Sequence, residues 1–489
     1  MLSRSSLEPI TGDVDSINLL HQVMRYVPYN RRTLCTMRCV SKPYRRAVQH
    51  PNSPWACHED VMISRYGQCI IFNAKDDDKG RSNFQLCSVS PVGRKFETFS
   101  AKILSRYHQR VADGLTRLVL HHSPIDMSFF EIIAPLSNLR ALELVSCRSI
   151  KSIAESSNVS SLESLEVHLC PLEPDGVTGL FLPKLRRLKL HSCYKLSNVS
   201  GISRETVASL EELYLENCNV SDETASELCA GFTPNLRVLH LPGTRVDSAL
   251  THIPEKVRCS KLSSLHLRET PVRFETLCDL APSVQGQLEF LSLDGCTELE
   301  SFEPLGRLQQ LRFLDVSGSY HGEGLHFLTR CTKLELFRMS DSQIENIVFL
   351  SSLQFLRVLD APRSALSDPS LMFLEDLPML DTVVLTGCVL ITNVNVLSTC
   401  PRIRRIFCAR TSVTNEGITL LTECPVLEEL DLRMTAVTDV NFLASCQSLK
   451  SINVCNAVSS VDGLQSLLNR KDLEVIHDSF DMDGDFSGI

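Results

Sequence analysis

The sequence predicts an α/β solenoid, a stack of short repeats in which each repeat adds one strand to a parallel sheet. A repeat that begins with a large aliphatic residue, followed in most copies by two more three and five positions later, occurs sixteen times between residues 115 and 476. The first residue of each copy, the anchor, lies 22 to 26 residues after the previous one. Such short strands bury their apolar sides only against one another, so the repeats must stack. The anchors are residues 115, 139, 162, 185, 210, 236, 262, 288, 311, 334, 356, 380, 403, 427, 449 and 473.

Each repeat is predicted to run strand, turn, helix. Positions are counted from the anchor, so position 3 is three residues after it. Positions 3 and 5 are aliphatic and alternate with other residues, as in LRRLKLHSC (185–193), which indicates a strand with one buried face. Position 8 holds Cys, Ser or Thr in nearly every copy, and a small hydrogen-bonding side chain suits a turn. An Asp or Asn follows at Asp222, Asp368, Asn415 and Asp439, where it is expected to cap a helix such as 417–425.

The repeat resembles the cysteine-containing class of leucine-rich repeats. The resemblance rests on the cysteine at the turn, the Asp or Asn after it, and Cys-Pro before the next strand, as at Cys400-Pro401 and Cys424-Pro425. It implies a horseshoe-shaped solenoid over residues 115–477, with about 16 repeats, a parallel sheet on the concave side and helices on the convex side. Residues 478–489 then form an acidic C-terminal tail.

The twenty cysteines follow the repeat. Six occupy position 8 and five lie three residues before an anchor, where a small buried residue is wanted. This predicts free thiols in a reducing compartment. The N-terminus lacks the apolar stretch of a signal peptide, and no apolar run is long enough to span a bilayer. We therefore expect a cytoplasmic protein, with a nuclear or cytoskeletal location as the alternatives.

The outward-facing positions 2, 4 and 6 predict a binding surface on the sheet. At position 2 an apolar stripe runs through the second half of the stack, interrupted by Ser264. The first repeats form a basic entry that includes Arg187 and Lys189. Exposed aromatics in a row are typical of contact surfaces, so a protein substrate is expected here; the alternative is that a loop or the tail covers the stripe. The stripe consists of Val238, Phe290, Phe313, Leu336 and Val358.

Ahead of the repeats, residues 17–55 are predicted to form a small module of three helices after a flexible segment 1–16. This module resembles an F-box. An aliphatic helix ends at Tyr26-Val27-Pro28, the signature Val-Ser-Lys-x-aromatic-Arg occupies 40–45, and Trp55 closes the motif. The sequence departs from the family pattern in lacking the usual Leu-Pro opening and in having Tyr44 where Trp is commoner. Residues 56–114 are then a linker and the N-terminal cap of the solenoid.

The resemblance implies that the chain docks on the small acidic adaptor of an SCF-type ubiquitin ligase, and on a cullin through it. Residues 1–55 carry eight Arg or Lys against three acids, which suits an acidic protein partner. The alternative is a structural scaffold, for example cytoskeletal or axonemal, whose N-terminal helices only cap the stack. The residues that match the adaptor-binding motif are Leu20, Val27, Pro28, Val40, Tyr44 and Trp55.

No constellation in the sequence points to catalysis, so we expect neither an enzyme nor a cofactor. The tail DMDGDFSGI imitates a calcium loop, but Phe486 takes the place of the turn-making glycine and the final glutamate is missing. Cys35 and Cys39 have no second pair at zinc spacing, so no metal site is expected. A net charge of −9 argues against a nucleic-acid ligand.

Overall fold

A computed structural model describes residues 61–63, 69–76, 82–89, 117–121, 125–253, 261–318, 322–375 and 377–477. The chain divides into two compact units, Met1–Ser209 and Leu210–Ile489. The F-box-like segment 17–55 and the tail 478–489 lie outside the described residues. The predicted adaptor-binding residues Leu20, Val27, Pro28, Val40, Tyr44 and Trp55 therefore do so as well.

The first unit contains two kinds of sheet. Strands β1 (Val61–Ile63), β2 (Cys69–Asp76) and β3 (Ser82–Val89) form an antiparallel sheet in that order. The sequence predicts only a linker and cap here, because these strands lie outside the repeat period. The parallel strands are β4 (Arg117–His121), β5 (Ala141–Val145), β6 (Ser164–His168) and β7 (Arg187–His191). The helices are α1 (Ser128–Ile133), a 3-10 helix at Ala154–Asn158, and α2 (Arg204–Ser209).

The second unit is a longer run of the same repeat. Its parallel strands are β8 (Glu212–Tyr214), β9 (Val238–His240), β10 (Ser264–His266), β11 (Phe290–Ser292), β12 (Phe313–Asp315), β13 (Leu336–Arg338), β14 (Val358–Asp360), β15 (Thr382–Val384), β16 (Arg405–Phe407), β17 (Glu429–Asp431), β18 (Ser451–Asn453) and β19 (Glu474–Ile476). Its α-helices are α3 (Asp222–Ala230), α4 (Phe274–Val284), α5 (Asp368–Leu371) and α6 (Gln465–Leu468). The 3-10 helices are Ser248–His252, Glu303–Arg307, Leu325–Arg330, Val348–Ser352, Met372–Leu374, Asn395–Thr399, Glu416–Glu423, Asn441–Ser445 and Val461–Gly463.

Strand register follows the anchors. Each strand from β4 to β18 begins at position 2, and within each unit equivalent residues of neighbouring strands lie opposite one another, as Phe313 does to Leu336. Positions 3 and 5 are buried as predicted; Leu188 and Leu190 have no exposed surface. The predicted register of the last repeat was wrong. Its strand, β19, begins at Glu474, one residue earlier than anchor 473 predicts. No further described repeat packs on β19, so little apolar burial fixes its register.

The elements between successive strands of the repeats are mostly short 3-10 helices rather than the α-helices predicted. The predicted helix 417–425, for example, is a 3-10 helix over Glu416–Glu423. Repeat length explains the difference. The two longest α-helices, α3 and α4, belong to repeats whose next anchor lies 26 residues on, whereas the helices described in repeats of 22 to 24 residues span three to eight residues.

Three of the four Asp and Asn residues predicted as helix caps connect neighbouring repeats instead. Side-chain oxygens of Asp222, Asp368 and Asn415 accept backbone N–H groups of the following repeat at 2.7–3.3 Å, and none of the three caps its own helix. Asp439 does serve its own helix, because its side chain accepts the N–H of Asn441, the first residue of the 3-10 helix Asn441–Ser445, at 2.9 Å. For the other three the residue type was predicted correctly and the partner was not, because the donors that they meet belong to the adjacent repeat.

Position 7 adopts the left-handed conformation in every described repeat from the second to the fifteenth, a feature the sequence analysis did not predict. Four of these residues are glycines and ten are not, the latter having φ of 52–57°. The conformation turns the chain while the N–H of position 7 still donates to the next repeat, as from Asp341 to the Pro362 carbonyl at 2.9 Å. The ten are Ser146, Leu169, Ser192, Asn217, Glu269, Asp341, Arg363, Arg410, Met434 and Asn456.

Position 8 closes the turn from inside the core. Hydroxyls there donate to the carbonyl at position 5, as from Thr270 to Leu267 at 2.6 Å, which confirms the predicted role. Thiols at position 8 donate to a backbone carbonyl of the preceding repeat, as from Cys388 to the Ala361 carbonyl at 3.1 Å. The fourteen cysteines described between Cys147 and Cys455 are free thiols, as predicted, and all of these are buried except the half-buried Cys278 and Cys455.

Candidate functional site

The predicted apolar stripe lies on the strand face of the second unit. Val238, Phe290, Phe313, Leu336 and Val358 are the first residues of β9 and β11 to β14, and each is half-buried. From β11 to β14 the four side chains are direct cross-strand neighbours. Tertiary structure therefore brings this part of the stripe together as a continuous surface.

Aromatic rings extend the stripe through the gap at Ser264. The rings of Tyr214, His240, His266, Phe290 and Phe313 follow one another with centroid distances of 5.2, 4.4, 4.2 and 4.0 Å. The last two pairs are stacked, with Phe290 and Phe313 only 6° from parallel. We call these five residues the aromatic ladder. It shifts from position 4 in β8–β10 to position 2 in β11 and β12, so reading position 2 alone missed the three polar members.

The aromatic ladder is polar at one end and apolar at the other. Burial, and then the proximity of His240, lower the pKa of His266 to about 4, so its ring is neutral at physiological pH. The Ser264 hydroxyl lies 3.0 Å from Nε2 of the same ring. Nε2 of His240 lies 3.6 Å from Oε2 of Glu216. The Phe290–Phe313 end therefore offers flat, uncharged surface to a partner.

Charged side chains flank the apolar end. The Arg338 guanidinium lies 5.9 Å from the centroid of the Phe313 ring, and it pairs with Asp360 at 2.7 Å and with Asp315 at 3.8 Å. Burial, and then the nearby Asp315 carboxylate, raise the pKa of Asp294 above its ordinary value. An apolar surface with polar groups along its edge is the usual composition of a protein-binding site.

A pocket of about 490 Å³ opens where the stripe ends. Val358, the last residue of the stripe, is part of its wall. Four arginines surround a single aspartate there, and we call this cluster the arginine pocket: Arg357, Arg402, Arg404, Arg405 and Asp381. Sequence reasoning missed this cluster, because its members come from three repeats. They occupy different positions, from one residue before an anchor to two residues after it.

The basic entry predicted in the first unit is a mixed-charge surface. Arg187 and Lys189 are half-buried on β7, but the Lys189 ammonium lies 3.7 Å from the Glu166 carboxylate. A hydrogen bond from His168 is the largest influence on Glu166 and lowers its pKa against the opposing effect of burial. Reading basic residues alone overlooked this carboxylate on the neighbouring strand, so the predicted basic entry carries negative charge as well.

A charge pattern at position 1 also went unnoticed in the sequence. From repeat 8 onward in the second unit, acidic and basic residues alternate there. Arg312 contacts Glu335 at 2.6 Å and Glu289 at 3.9 Å, and Lys450 contacts Glu428 at 2.9 Å. We call this column the charged edge: Glu289, Arg312, Glu335, Arg357, Asp381, Arg404, Glu428 and Lys450. Aligning the repeats on their anchors would have revealed it.

In the part of the chain that the structure describes, no group of three or more His, Cys, Asp or Glu side chains is arranged to hold a metal ion. None of the described helices has the length and apolar character needed to cross a membrane.

Comparison with known proteins identifies the fold. No protein-family model matches the sequence, and no curated protein does. Among solved structures, a leucine-rich-repeat protein of Leptospira interrogans matches with a TM-score of 0.58 and 15% identity, over 75% of this chain and 91% of that one. An internalin of Listeria monocytogenes matches with a TM-score of 0.51 and 19% identity, over 73% of this chain and 94% of that one. The chain therefore has the leucine-rich-repeat fold, as its sequence predicts.

Proposed function

We propose that this chain is a non-catalytic protein-binding module that holds its partner on the strand face of the second unit. The observation that carries the proposal is the apolar end of the aromatic ladder, where Phe290 and Phe313 stack at 4.0 Å and continue into Leu336 and Val358. Half-buried aromatic side chains at the centre of a polar surround provide most of the binding free energy at protein interfaces. Side chains of this surface thus suit a partner that supplies apolar residues.

More specifically, we propose that the chain is a substrate receptor of an SCF-type ubiquitin ligase. The F-box resemblance of residues 17–55 supports it, together with the excess of basic residues over acids in residues 1–55. The adaptor would bind Leu20, Val27, Pro28, Val40, Tyr44 and Trp55. The solenoid would then hold a protein near the ubiquitin-charged enzyme, raising its effective concentration without chemistry by this chain.

Affinity purification of the full-length chain tests both adaptor binding by residues 17–55 and partner binding on the strand face. We expect the wild type to co-purify an SCF adaptor and a cullin, and the double variant Val27→Asp, Tyr44→Ala to lose both. A second double variant, Phe290→Ala, Phe313→Ala, should retain the adaptor and lose substrate. Phe355→Ala is the matched control, because Phe355 is an exposed phenylalanine outside the ladder. Normal adaptor recovery with the first variant would refute the receptor role, and a filament recovered in place of the adaptor would favour the scaffold.

A further inference from the structure

The arginine pocket contains more positive charge than its own residues neutralise. Arg405 pairs with Asp381 at 2.9 Å, Arg404 lies 3.7 Å from the same carboxylate, and Arg357 lies 3.8 Å from Glu335. The wall of the pocket therefore carries four guanidinium groups and one carboxylate; Glu335 is shared with Arg312 at 2.6 Å, and Glu429 lies opposite Arg405 on the neighbouring strand. The next carboxylate along the charged edge, Glu428, pairs with Lys450 at 2.9 Å.

These guanidinium groups are accessible to a ligand. The side chains of Arg357, Arg404 and Arg405 are 57, 54 and 49% exposed, whereas Asp381 is 27% exposed. Arg402 is exposed as well. Burial opposes ionisation of Asp381, but hydrogen bonds from Arg405 and Thr382 outweigh it and keep its pKa below the ordinary value. The aspartate therefore stays ionised and orients Arg405, while the other arginines surround the opening.

We propose that the arginine pocket binds a phosphate monoester on a protein segment whose apolar residues occupy the stripe, an inference that rests on the proposed partner site of the strand face. A phosphoserine or phosphothreonine carries nearly two negative charges and three acceptor oxygens at neutral pH, which suits a wall with four guanidinium groups and one carboxylate. Guanidinium groups bind phosphate oxygens through paired, charge-assisted hydrogen bonds, whereas a carboxylate of the partner would present only one negative charge and two oxygens.

The sheet geometry sets the spacing within such a segment. Val358 lies two strands from Arg405, and Phe313 lies four strands from it. With strands about 4.8 Å apart, these separations are roughly 10 and 19 Å. An extended chain advances about 3.3 Å per residue, so apolar side chains should lie roughly three to six residues from the phosphate.

Peptide binding by the full-length chain tests this inference. Three labelled peptide pools would carry phosphoserine, glutamate or serine at one fixed position, with Leu and Phe at the spacing given above. Fluorescence anisotropy at constant ionic strength would give their affinities. We expect the phosphoserine pool to bind about tenfold more tightly than the serine pool. Arg402→Ala should remove much of this preference, and Arg402→Ala with Arg404→Ala should abolish it.

The matched control is Arg410→Ala, which removes the same charge from an exposed arginine of the same repeat, at the other end of β16. It should leave the preference intact, and circular dichroism should show all variants folded. Equal affinity for the three pools, equal loss in the Arg410 variant, or glutamate binding as tightly as phosphoserine would overturn the inference. Phosphate-independent binding that is lost in Phe313→Ala would overturn it while leaving the proposed function standing.

Discussion

At the residue scale, position 7 places ordinary side chains in a conformation that favours glycine. Left-handed backbone costs an L-residue about 1 kcal/mol, and this cost recurs in ten of the described repeats. It persists because the N–H groups at positions 5 and 7 both donate to the next repeat, as those of Leu432 and Met434 do to the Asn453 and Cys455 carbonyls at 2.8 and 2.9 Å. The strain is thus held in place by neighbouring repeats.

Glycine substitution should relieve this strain. Met434 has φ of 55° and is 49% exposed, so Met434→Gly removes an unfavourable conformation and little packing. We expect the free energy of unfolding to rise by about 0.5 kcal/mol, since the flexibility of glycine in the unfolded chain offsets part of the gain. The reverse change, Gly387→Ala, should lower it by about 1 kcal/mol, because Gly387 has φ of 79°. Urea denaturation followed by circular dichroism measures both, and shifts of the same sign would contradict the account.

His266 should make stability depend on pH. Its folded-state pKa is about 4, depressed first by burial and then by His240, whereas an unfolded histidine titrates near 6.5. Between these values the unfolded chain binds a proton that the folded chain does not, so stability falls as the pH falls from about 6.5 to 4. His266→Phe keeps a ring against Phe290 and removes the titration.

The variant should therefore lose less stability than the wild type between pH 7 and pH 4.5. Thermal denaturation at the two pH values measures the difference. Carboxylates also titrate toward the lower value, but they are common to both proteins and cancel in the comparison. Equal losses in the two proteins would show that His266 does not titrate in this way.

At the scale of elements, hydrogen bonds from one repeat to the side chains of Asp222, Asp368 and Asn415 in the preceding repeat should stabilise the stack. Asp368 accepts the N–H groups of Thr392 and Asn393 at 2.8 and 3.1 Å and the Thr392 hydroxyl at 2.5 Å. Asp368→Ala leaves these donors to solvent, and we expect a loss of about 1.5 kcal/mol. Asp368→Asn keeps an acceptor and should lose less. Urea denaturation of the three proteins would contradict this role if both variants lost the same amount.

At the scale of the whole molecule, the charged edge couples successive repeats by electrostatics. Exposed ion pairs contribute little individually, but Glu335 lies between Arg312 and Arg357, at 2.6 and 3.8 Å. Glu335→Arg would place three like charges in a row, and we expect a loss of about 1 kcal/mol at low salt. Because salt screens exposed charges, the loss should shrink in 1 M NaCl.

The control for this prediction is Glu416→Arg, the same reversal at an acidic residue on the 3-10 helix Glu416–Glu423, outside the charged edge. Urea denaturation at both salt concentrations compares the two variants. A loss with Glu335→Arg that does not depend on salt, or an equal loss in the control, would assign the effect to local packing instead.

The sequence by itself determined the repeat, the register of β4 to β18 and the buried positions, because each depends on local alternation repeated at a fixed spacing. Leu188 and Leu190 are buried, and Phe290, Phe313, Leu336 and Val358 lie on one face, for this reason. Apolar burial is nearly independent of which partner supplies it, so a pattern of aliphatic residues is enough to place the core.

Only the tertiary structure decided which polar group meets which. Asp222 and Asp368 bond to the next repeat rather than their own helix, and His266 stacks on Phe290 across the gap left by Ser264. Hydrogen bonds and ring contacts act over a few ångströms and depend on direction, so they follow from the packing of residues more than twenty positions apart. The arginine pocket likewise depends on tertiary structure, because its arginines come together only when three repeats are stacked.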